Sequence, residues 1–111
     1  EYLITNNHSN FNEKLKKHSY HIFAIRVNKN NRNKIIAELK SKGIDTNIHY
    51  PYSLPDLDFF NYKVRKNNSV VAKKVSQELL SLPIYPELKN KEVKYTCQIL
   101  NTILKKYDQF D

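Results

Sequence analysis

The sequence predicts an α/β fold of the two-layer α+β kind, in which a small, mostly antiparallel sheet is covered by helices. Three observations lead to this prediction: a β-rich run at 19–27, three later stretches with helical spacing of apolar residues, and a proline-broken extended run at 80–88. The chain has 111 residues, a length typical of one domain with one hydrophobic core. The expected order is strand, helix, loop, helix, short strand, helix.

The first strand is predicted at 19–27, which reads SYHIFAIRV. It is rich in β-branched and aromatic residues, the types that fit a pleated and partly buried surface. Residues 21, 23, 25 and 27 share one face, and residues 22, 24 and 26 share the other. Both faces are largely apolar, so we expect this strand to be central in the sheet.

The next stretch, NKNNRNKIIAELKSKG, predicts a helix with Asn28 or Asn30 as its cap. Its buried stripe is Ile35, Ile36 and Leu39. If the helix ends at Lys42, Gly43 falls at the position that commonly takes left-handed backbone angles, where a Cβ is penalised. Ile44 would then fold back onto the last turn, as in a Schellman ending. Backbone geometry therefore accounts for the single glycine of the chain.

An irregular segment and a second helix follow. Residues 45–55 contain two prolines and predict a short extended piece followed by a loop, and residues 56–62 predict one helical turn. The next helix is predicted from Ser69, as its N-cap, to about Ser81. Its apolar stripe is Val71, Val75 and Leu79.

The last two elements are a proline-broken strand and a long helix. The run LSLPIYPEL at 80–88 contains Pro83 and Pro86, so we expect an edge strand there if a strand forms at all. The last helix is predicted to start near Asn90. Its stripe is Val93, Cys97, Leu100, Leu104 and Tyr107. Because Cys97 lies within that stripe, a buried small hydrophobic residue is favoured over a reactive thiol.

Composition excludes several classes of function. The net charge is +8, but the lysines are dispersed among asparagines over the whole chain, so we expect no specific nucleic-acid partner. No apolar run approaches the roughly 18 residues of a membrane span, and the single cysteine favours a reducing cytoplasm. One glycine cannot build a phosphate-binding glycine loop. His18 and His21 have no second pair of ligands, so we expect no metal.

The stretch GIDTNIHYP at 43–51 holds the candidate binding residues. Pro51 restricts Tyr50 to extended backbone, so His49 and Tyr50 are presented at a strand end with little freedom left to lose. A histidine donor and a phenol in such a loop suit a polar sugar or a diphosphate. Alternatively, both residues only satisfy backbone groups and fill a gap between layers. His21 is a further candidate for substrate binding.

The order and spacing of these motifs resemble a known family. HSYHIFAIRV, the helix RNKIIAELKSKGI, the sequence T-x-I-HYP, then LSLPIYPEL and the helix start KNKEV are similar to the C-terminal domain of the DegT/DnrJ/EryC1/StrS aminotransferases. The resemblance covers about residues 18–104. It implies the small domain of a fold-type I aminotransferase at 19–107, a tail at 108–111, and an irregular segment at 1–18 leading in from a large domain.

The resemblance also implies a function for a longer parent protein. Such enzymes use pyridoxal 5'-phosphate to transfer an amino group, with glutamate as the expected donor, to a nucleotide-linked keto sugar in polysaccharide or amino-sugar biosynthesis. The cofactor lysine belongs to the large domain, so no catalytic residue and no cofactor are expected in this chain, and the parent is expected to be a cytoplasmic homodimer. The chain begins at Glu1 and contains no methionine, and we interpret it as part of that parent.

The resemblance has departures and a rival. Pro55 stands where many members have a histidine, and Lys73 where a glutamate is common, which leaves the substrate open. His49, Tyr50 and His21 are the implied substrate-binding residues. Arg26 could meet a donor carboxylate, although a salt bridge or solvent is the favoured interpretation. The alternative function is a freestanding, non-catalytic binding module with the same fold.

Overall fold

The computed structural model describes residue 19, residues 21–57 and residues 69–107. The predictions for 1–18, for 58–62 and for the tail at 108–111 lie outside these residues. Within the described ranges, no helix is both long and apolar enough to cross a membrane.

The described elements follow the predicted order, with a 3-10 turn in the central loop. They are β1 (Phe23–Arg26), α1 (Arg32–Ser41), the 3-10 turn (Leu54–Asp56), α2 (Val70–Glu78), β2 (Leu79–Leu82) and α3 (Asn90–Tyr107). This arrangement of an antiparallel sheet and helices confirms the predicted α+β class.

The sheet is built around β2. β1 and β2 are antiparallel, with Phe23 opposite Leu82 and Arg26 opposite Leu79. On the other side of β2, Asn47 forms an isolated antiparallel bridge. In the described part of the chain, β2 is therefore the central strand and β1 an edge strand.

The sequence prediction of which strand is central in the sheet and which lies at its edge was wrong. The run at 19–27 was expected to be central, but only four of its residues form β1, and Phe23, Ala24 and Arg26 are exposed. The run at 80–88 was expected at an edge because of its prolines. Pro83 lies immediately after the last residue of β2, where a missing N–H removes no ladder hydrogen bond, so the strand can be central.

Helix α1 begins after a turn that the sequence prediction missed. The N–H groups of Asn31 and Arg32 both donate to the carbonyl of Asn28, and the side-chain oxygen of Asn28 accepts from the N–H of Asn30 at 2.9 Å. The N-cap position is Asn31, so the predicted cap was wrong. The Asn31 amide instead donates to the carbonyl of Tyr107 at 2.7 Å, which links α1 to the end of α3.

The end of α1 confirms the prediction for the glycine. Gly43 has φ of 75°, in the left-handed region. The N–H of Ile44 donates to the carbonyl of Leu39, and the N–H of Gly43 donates to that of Lys40. These two hydrogen bonds define a Schellman ending, and Ile44 is buried against the core as expected.

Helix α2 differs from its prediction in length and in orientation. It follows Ser69 at the N-cap position, but it ends at Glu78 because Leu79 is already extended and starts β2. The predicted apolar stripe was wrong: Val71 is 76% exposed, and the inward face is centred on Ser76. The carbonyl of Ser76 accepts from the guanidinium of Arg32 at 2.8 Å, which fastens α2 to α1.

Helix α3 packs antiparallel on α1 and completes the core. Besides the contact between Asn31 and Tyr107, the Tyr95 hydroxyl donates to the carbonyl of Lys42 at 3.1 Å. Of the predicted stripe only Leu100 is fully buried: Cys97 is half-buried and Val93 is exposed, while Ile103, which the prediction left out, is buried. The buried apolar residues of the sheet, α1 and α3 form one cluster: Ile25, Val27, Ile35, Leu39, Ile44, Leu80, Leu82, Leu100 and Ile103.

Candidate functional site

A cleft of about 540 Å³ opens where the segment after α1 passes the C-terminal end of β2. Three stretches of chain line it: residues 21–22, five residues between 43 and 49, and residues 81–85. We call this concavity the His49 cleft. Its polar side chains include His21, Asp45, His49 and Tyr85, so it can offer both donors and acceptors to a hydroxyl-rich ligand.

Backbone hydrogen bonds fix the segment that carries His49. After the Schellman ending at Gly43, the chain runs beside β2, and Asn47 donates to the carbonyl of Ser81 at 3.1 Å. In return, the N–H of Ser81 donates to the carbonyl of Asn47 at 2.7 Å. Because Asn47 is bound by both of these backbone groups, His49 lies only two residues beyond an anchored point.

The His49 side chain is held by a hydrogen bond to β2. Its Nδ1 lies 3.0 Å from the hydroxyl oxygen of Ser81, and the ring is half-buried. The Tyr50 ring packs edge-on against it, with 5.7 Å between ring centroids and 87° between planes. The peptide bond between His49 and Tyr50 is cis. Among the described residues, no hydrogen bond engages the second nitrogen of His49, Nε2.

The structure brings two of the three predicted binding residues together. His21 and His49 both line the His49 cleft, although they are 28 positions apart in the sequence. Tyr50 is not part of the lining and is 69% exposed. Arg26 lies outside the cleft, and its Nε donates to the carboxylate of Glu78 at 2.8 Å, which confirms the salt bridge that the sequence favoured.

Three further residues of the cleft were missed by sequence reasoning. Ser81 is 4% exposed and contacts His49 directly; the signal was its small polar side chain between leucines in LSLP. Tyr85 lines the cleft from the proline-broken run after β2. Thr46 carries a buried hydroxyl that has no hydrogen-bond partner among the described residues. No spacing rule distinguishes such a threonine from an ordinary loop residue.

The loop after the cleft is fastened by a separate polar contact. Ser53 is buried, and its hydroxyl donates to the carboxylate of Asp56 at 2.6 Å. This hydrogen bond, together with the positive charge of Lys73, holds the pKa of Asp56 below its ordinary value. The 3-10 turn at Leu54–Asp56 thus has a defined position next to α2.

A second concavity, of about 720 Å³, lies between the end of β1 and α2. Four basic residues line it: Arg26, Lys29, Lys73 and Lys74. Two carboxylates oppose them, because Glu78 pairs with Arg26 and Asp56 lies 3.5 Å from the ammonium of Lys73. The positive charge of this surface is therefore partly neutralised within the described chain.

Comparison with known proteins shows the family to which this chain belongs. The sequence profile of the DegT/DnrJ/EryC1/StrS aminotransferase family matches residues 3–101. The chain belongs to this family.

The chain is similar to part of several longer proteins. It is 36% identical over 84 residues to a pleiotropic regulatory protein of Geobacillus stearothermophilus, covering 73% of this chain and 22% of that protein. An apo-form structure of a putative sugar aminotransferase of Streptococcus pneumoniae is 31% identical with a TM-score of 0.66, covering 78% of this chain and 22% of that one. The S. venezuelae DesV structure, solved with a ketimine intermediate, shares the fold at 22% identity and a TM-score of 0.61, over 83% and 24% of the two chains. The chain thus spans about a quarter or less of the length of each of these proteins.

The described residues do not fit the cofactor of this family. Pyridoxal phosphate needs a lysine that forms a Schiff base within a pocket, an acidic partner for the pyridine nitrogen and a phosphate cradle. Among the described residues that line the His49 cleft there is no lysine. In the second concavity the three lining lysines, Lys29, Lys73 and Lys74, are all exposed, so the described residues enclose none of these amines in a pocket.

Proposed function

We propose that this chain is the C-terminal part of an aminotransferase that transfers an amino group, with glutamate as donor, to a nucleotide-linked keto sugar. The product would serve cell-surface polysaccharide or amino-sugar biosynthesis. The observation that carries the proposal is the convergence of His21 and His49 on one cleft in a chain of this family. In this proposal the His49 cleft belongs to the sugar side of the active site.

The chemistry of the cleft matches that substrate class. A nucleotide-linked sugar offers hydroxyl groups and phosphate oxygens, which need hydrogen-bond donors together with at least one acceptor. His21, His49 and the phenol of Tyr85 can donate, and the carboxylate of Asp45 can accept from a sugar hydroxyl. A mixed lining of this kind favours a hydroxylated ligand over a purely anionic one.

The remaining groups are proposed to come from the rest of the parent. Pyridoxal phosphate, held there by a lysine, would act as the electron sink for the amino-group transfer. The ketimine in the DesV structure is an intermediate of that related protein. We propose the same cofactor and a homodimeric assembly for the parent, with this chain supplying residues that bind and orient the sugar.

The test is a pair of variants in the full-length parent, assayed in both half-reactions. Loss of one hydrogen bond to substrate costs roughly 1–3 kcal/mol, so His49→Ala should lower kcat/KM of the sugar half-reaction by about ten- to a hundredfold. The half-reaction with the amino donor should change little. Tyr52→Phe is the matched control, because Tyr52 is exposed and does not line the cleft.

Two outcomes would contradict the proposal. If His49→Ala slows both half-reactions equally and lowers the melting temperature, the residue is structural. If sugar kinetics are unchanged, the cleft is not on the substrate side. The freestanding binding module is tested separately, by the coding sequence upstream of Glu1: a cofactor lysine domain there excludes that alternative.

A further inference from the structure

We propose that Ser81 is a positioning residue, which holds His49 in the tautomer that presents Nε2–H as a donor in the His49 cleft. The group that this donor recognises is an acceptor oxygen of the ligand. The assignment of that ligand as a nucleotide-linked sugar rests on the proposed function, whereas the hydrogen bond and the tautomer do not.

The first step is that the hydroxyl of Ser81 has one available partner. Ser81 is 4% exposed, so its side chain has little contact with solvent and a missing hydrogen bond there is costly. Both backbone groups of Ser81 are occupied by Asn47. In the described part of the chain, the hydroxyl makes one hydrogen bond, to Nδ1 of His49 at 3.0 Å.

The second step concerns the direction of that hydrogen bond. A neutral imidazole has one nitrogen that donates and one that accepts, and a hydroxyl has one proton to donate. If Nδ1–H donated to Ser81, the hydroxyl proton would be buried without an acceptor among the described residues, which is costly. If the hydroxyl donates to Nδ1, the hydroxyl proton and the lone pair of Nδ1 are both satisfied, and Nε2–H is left to donate in the cleft. Ser81 therefore donates, and the imidazole proton resides on Nε2.

The third step is what this arrangement does for recognition. The His49 ring lines the cleft, and its Nδ1 is already engaged by β2. The nitrogen left for a ligand is then Nε2–H, which can donate to an oxygen but cannot accept from a hydroxyl. A carbonyl, phosphate or ether oxygen fits this site, and a group that can only donate does not. Ser81 thus determines which hydrogen-bonding type the cleft presents.

The experiment measures the tautomer directly in the 111-residue chain. Long-range ¹H–¹⁵N correlation spectra of histidine-labelled protein distinguish a protonated ring nitrogen from an unprotonated one. In the wild type, at a pH where the ring is neutral, Nδ1 of His49 should be unprotonated and Nε2 protonated. Ser81→Ala should lower the tautomer ratio by about two- to tenfold, the worth of one hydrogen bond, so the two nitrogen shifts move towards each other.

The controls separate this effect from general loss of packing. Ser76→Ala removes another buried serine hydroxyl, which donates to the carbonyl of Lys73 at 2.9 Å, and it should leave the His49 shifts unchanged. Ser81→Thr keeps the hydroxyl and should keep the wild-type tautomer. If Ser81→Ala fails to fold, the wild-type spectrum still decides the direction of the hydrogen bond.

Two results would overturn the inference. A protonated Nδ1 in the wild type would reverse the direction of the hydrogen bond, and identical His49 shifts in wild type and Ser81→Ala would remove Ser81 from control of the ring. Neither measurement involves a substrate. Should the tautomer respond to Ser81 while His49→Ala leaves the sugar half-reaction unchanged, the inference stands and the proposed function fails.

Discussion

Replacing Gly43 by alanine isolates the energetic cost of left-handed backbone geometry at the end of α1. The residue has φ of +75°, and a Cβ placed there would meet no heavy atom within 4 Å. Steric clash with neighbouring groups is therefore absent, and the cost comes from the backbone alone. For a residue with a Cβ this cost is about 1–2 kcal/mol.

The net effect on stability includes the unfolded chain. Alanine lowers the conformational entropy of the unfolded state, which stabilises the fold by about 0.4–1 kcal/mol and offsets part of the cost. We expect Gly43→Ala to lower the free energy of unfolding by about 1 kcal/mol, equivalent to roughly 4–8 °C in Tm for a domain of this size. Gly43→Asn should lose less than Gly43→Ala, because asparagine tolerates the left-handed region.

The assay is urea unfolding monitored by circular dichroism. The variants are compared with the m value, the dependence of the free energy of unfolding on urea concentration, held equal among them. The matched control is an alanine-to-glycine substitution in the middle of the same helix, where the backbone is right-handed and glycine is the unfavourable residue. Ala37 is exposed in the middle of α1, and Ala37→Gly should also destabilise, by about 0.5–1 kcal/mol. If Gly43→Ala is as stable as the wild type, or if Gly43→Asn is no better than Gly43→Ala, backbone geometry is not the reason for the glycine.

Two further predictions concern single polar groups. Thr46→Val should leave stability unchanged or raise it by up to about 1 kcal/mol, since it removes a buried hydroxyl that has no partner among the described residues; a clear loss in urea unfolding would show that this hydroxyl is in fact satisfied. A hydrogen bond from Lys106 and a weaker one from Tyr107 hold the pKa of Glu38 below its ordinary value. The contribution of Glu38 to stability is therefore present above that ordinary pKa and is lost as the pH falls through the lowered one. Thermal melts should therefore fall more steeply on acidification in the wild type than in Glu38→Gln, and parallel profiles would contradict this.

Features set by neighbouring residues were predictable from the sequence. The Schellman ending needs only the glycine and the apolar residues on either side of it, and the structure shows it at Gly43. The same holds for the start of α3 at Asn90. In both cases the interactions that decide the geometry lie within a few residues, so tertiary contacts do not override them.

Features set by distant residues were not predictable. Which strand is central depends on the bridge between Asn47 and Ser81, and no local pattern contains that information. The apolar pattern of α2 likewise indicated which residues share a face, but not whether another element packs on that face. In the described chain, Val70 and Val71 are exposed. A periodic pattern gives the spacing of side chains along a helix, whereas burial depends on what packs against it.

The candidate site also has a part that the sequence predicted and a part that it did not. The motif around His49 was found from its proline, its histidine and the family resemblance, and His21 was included with it. That both line one cleft, and that Tyr50 does not, follows from the path of the chain beside β2. The contact between Ser81 and His49 spans 32 residues and joins two side chains that sequence spacing does not relate.

The pairing of Phe23 with Leu82 also has a consequence for the order of events during synthesis. Because β2 is made long after β1, an emerging chain that ends before residue 79 lacks the strand that pairs with β1 in the described structure, and α1 lacks its buried apolar partners from β2 and α3. Pairings between such distant segments close a large loop and form slowly. On a ribosome, the pairing of β1 with β2 therefore forms only after β2 has left the exit tunnel, and the wall of the His49 cleft that residues 81–85 supply is completed only then.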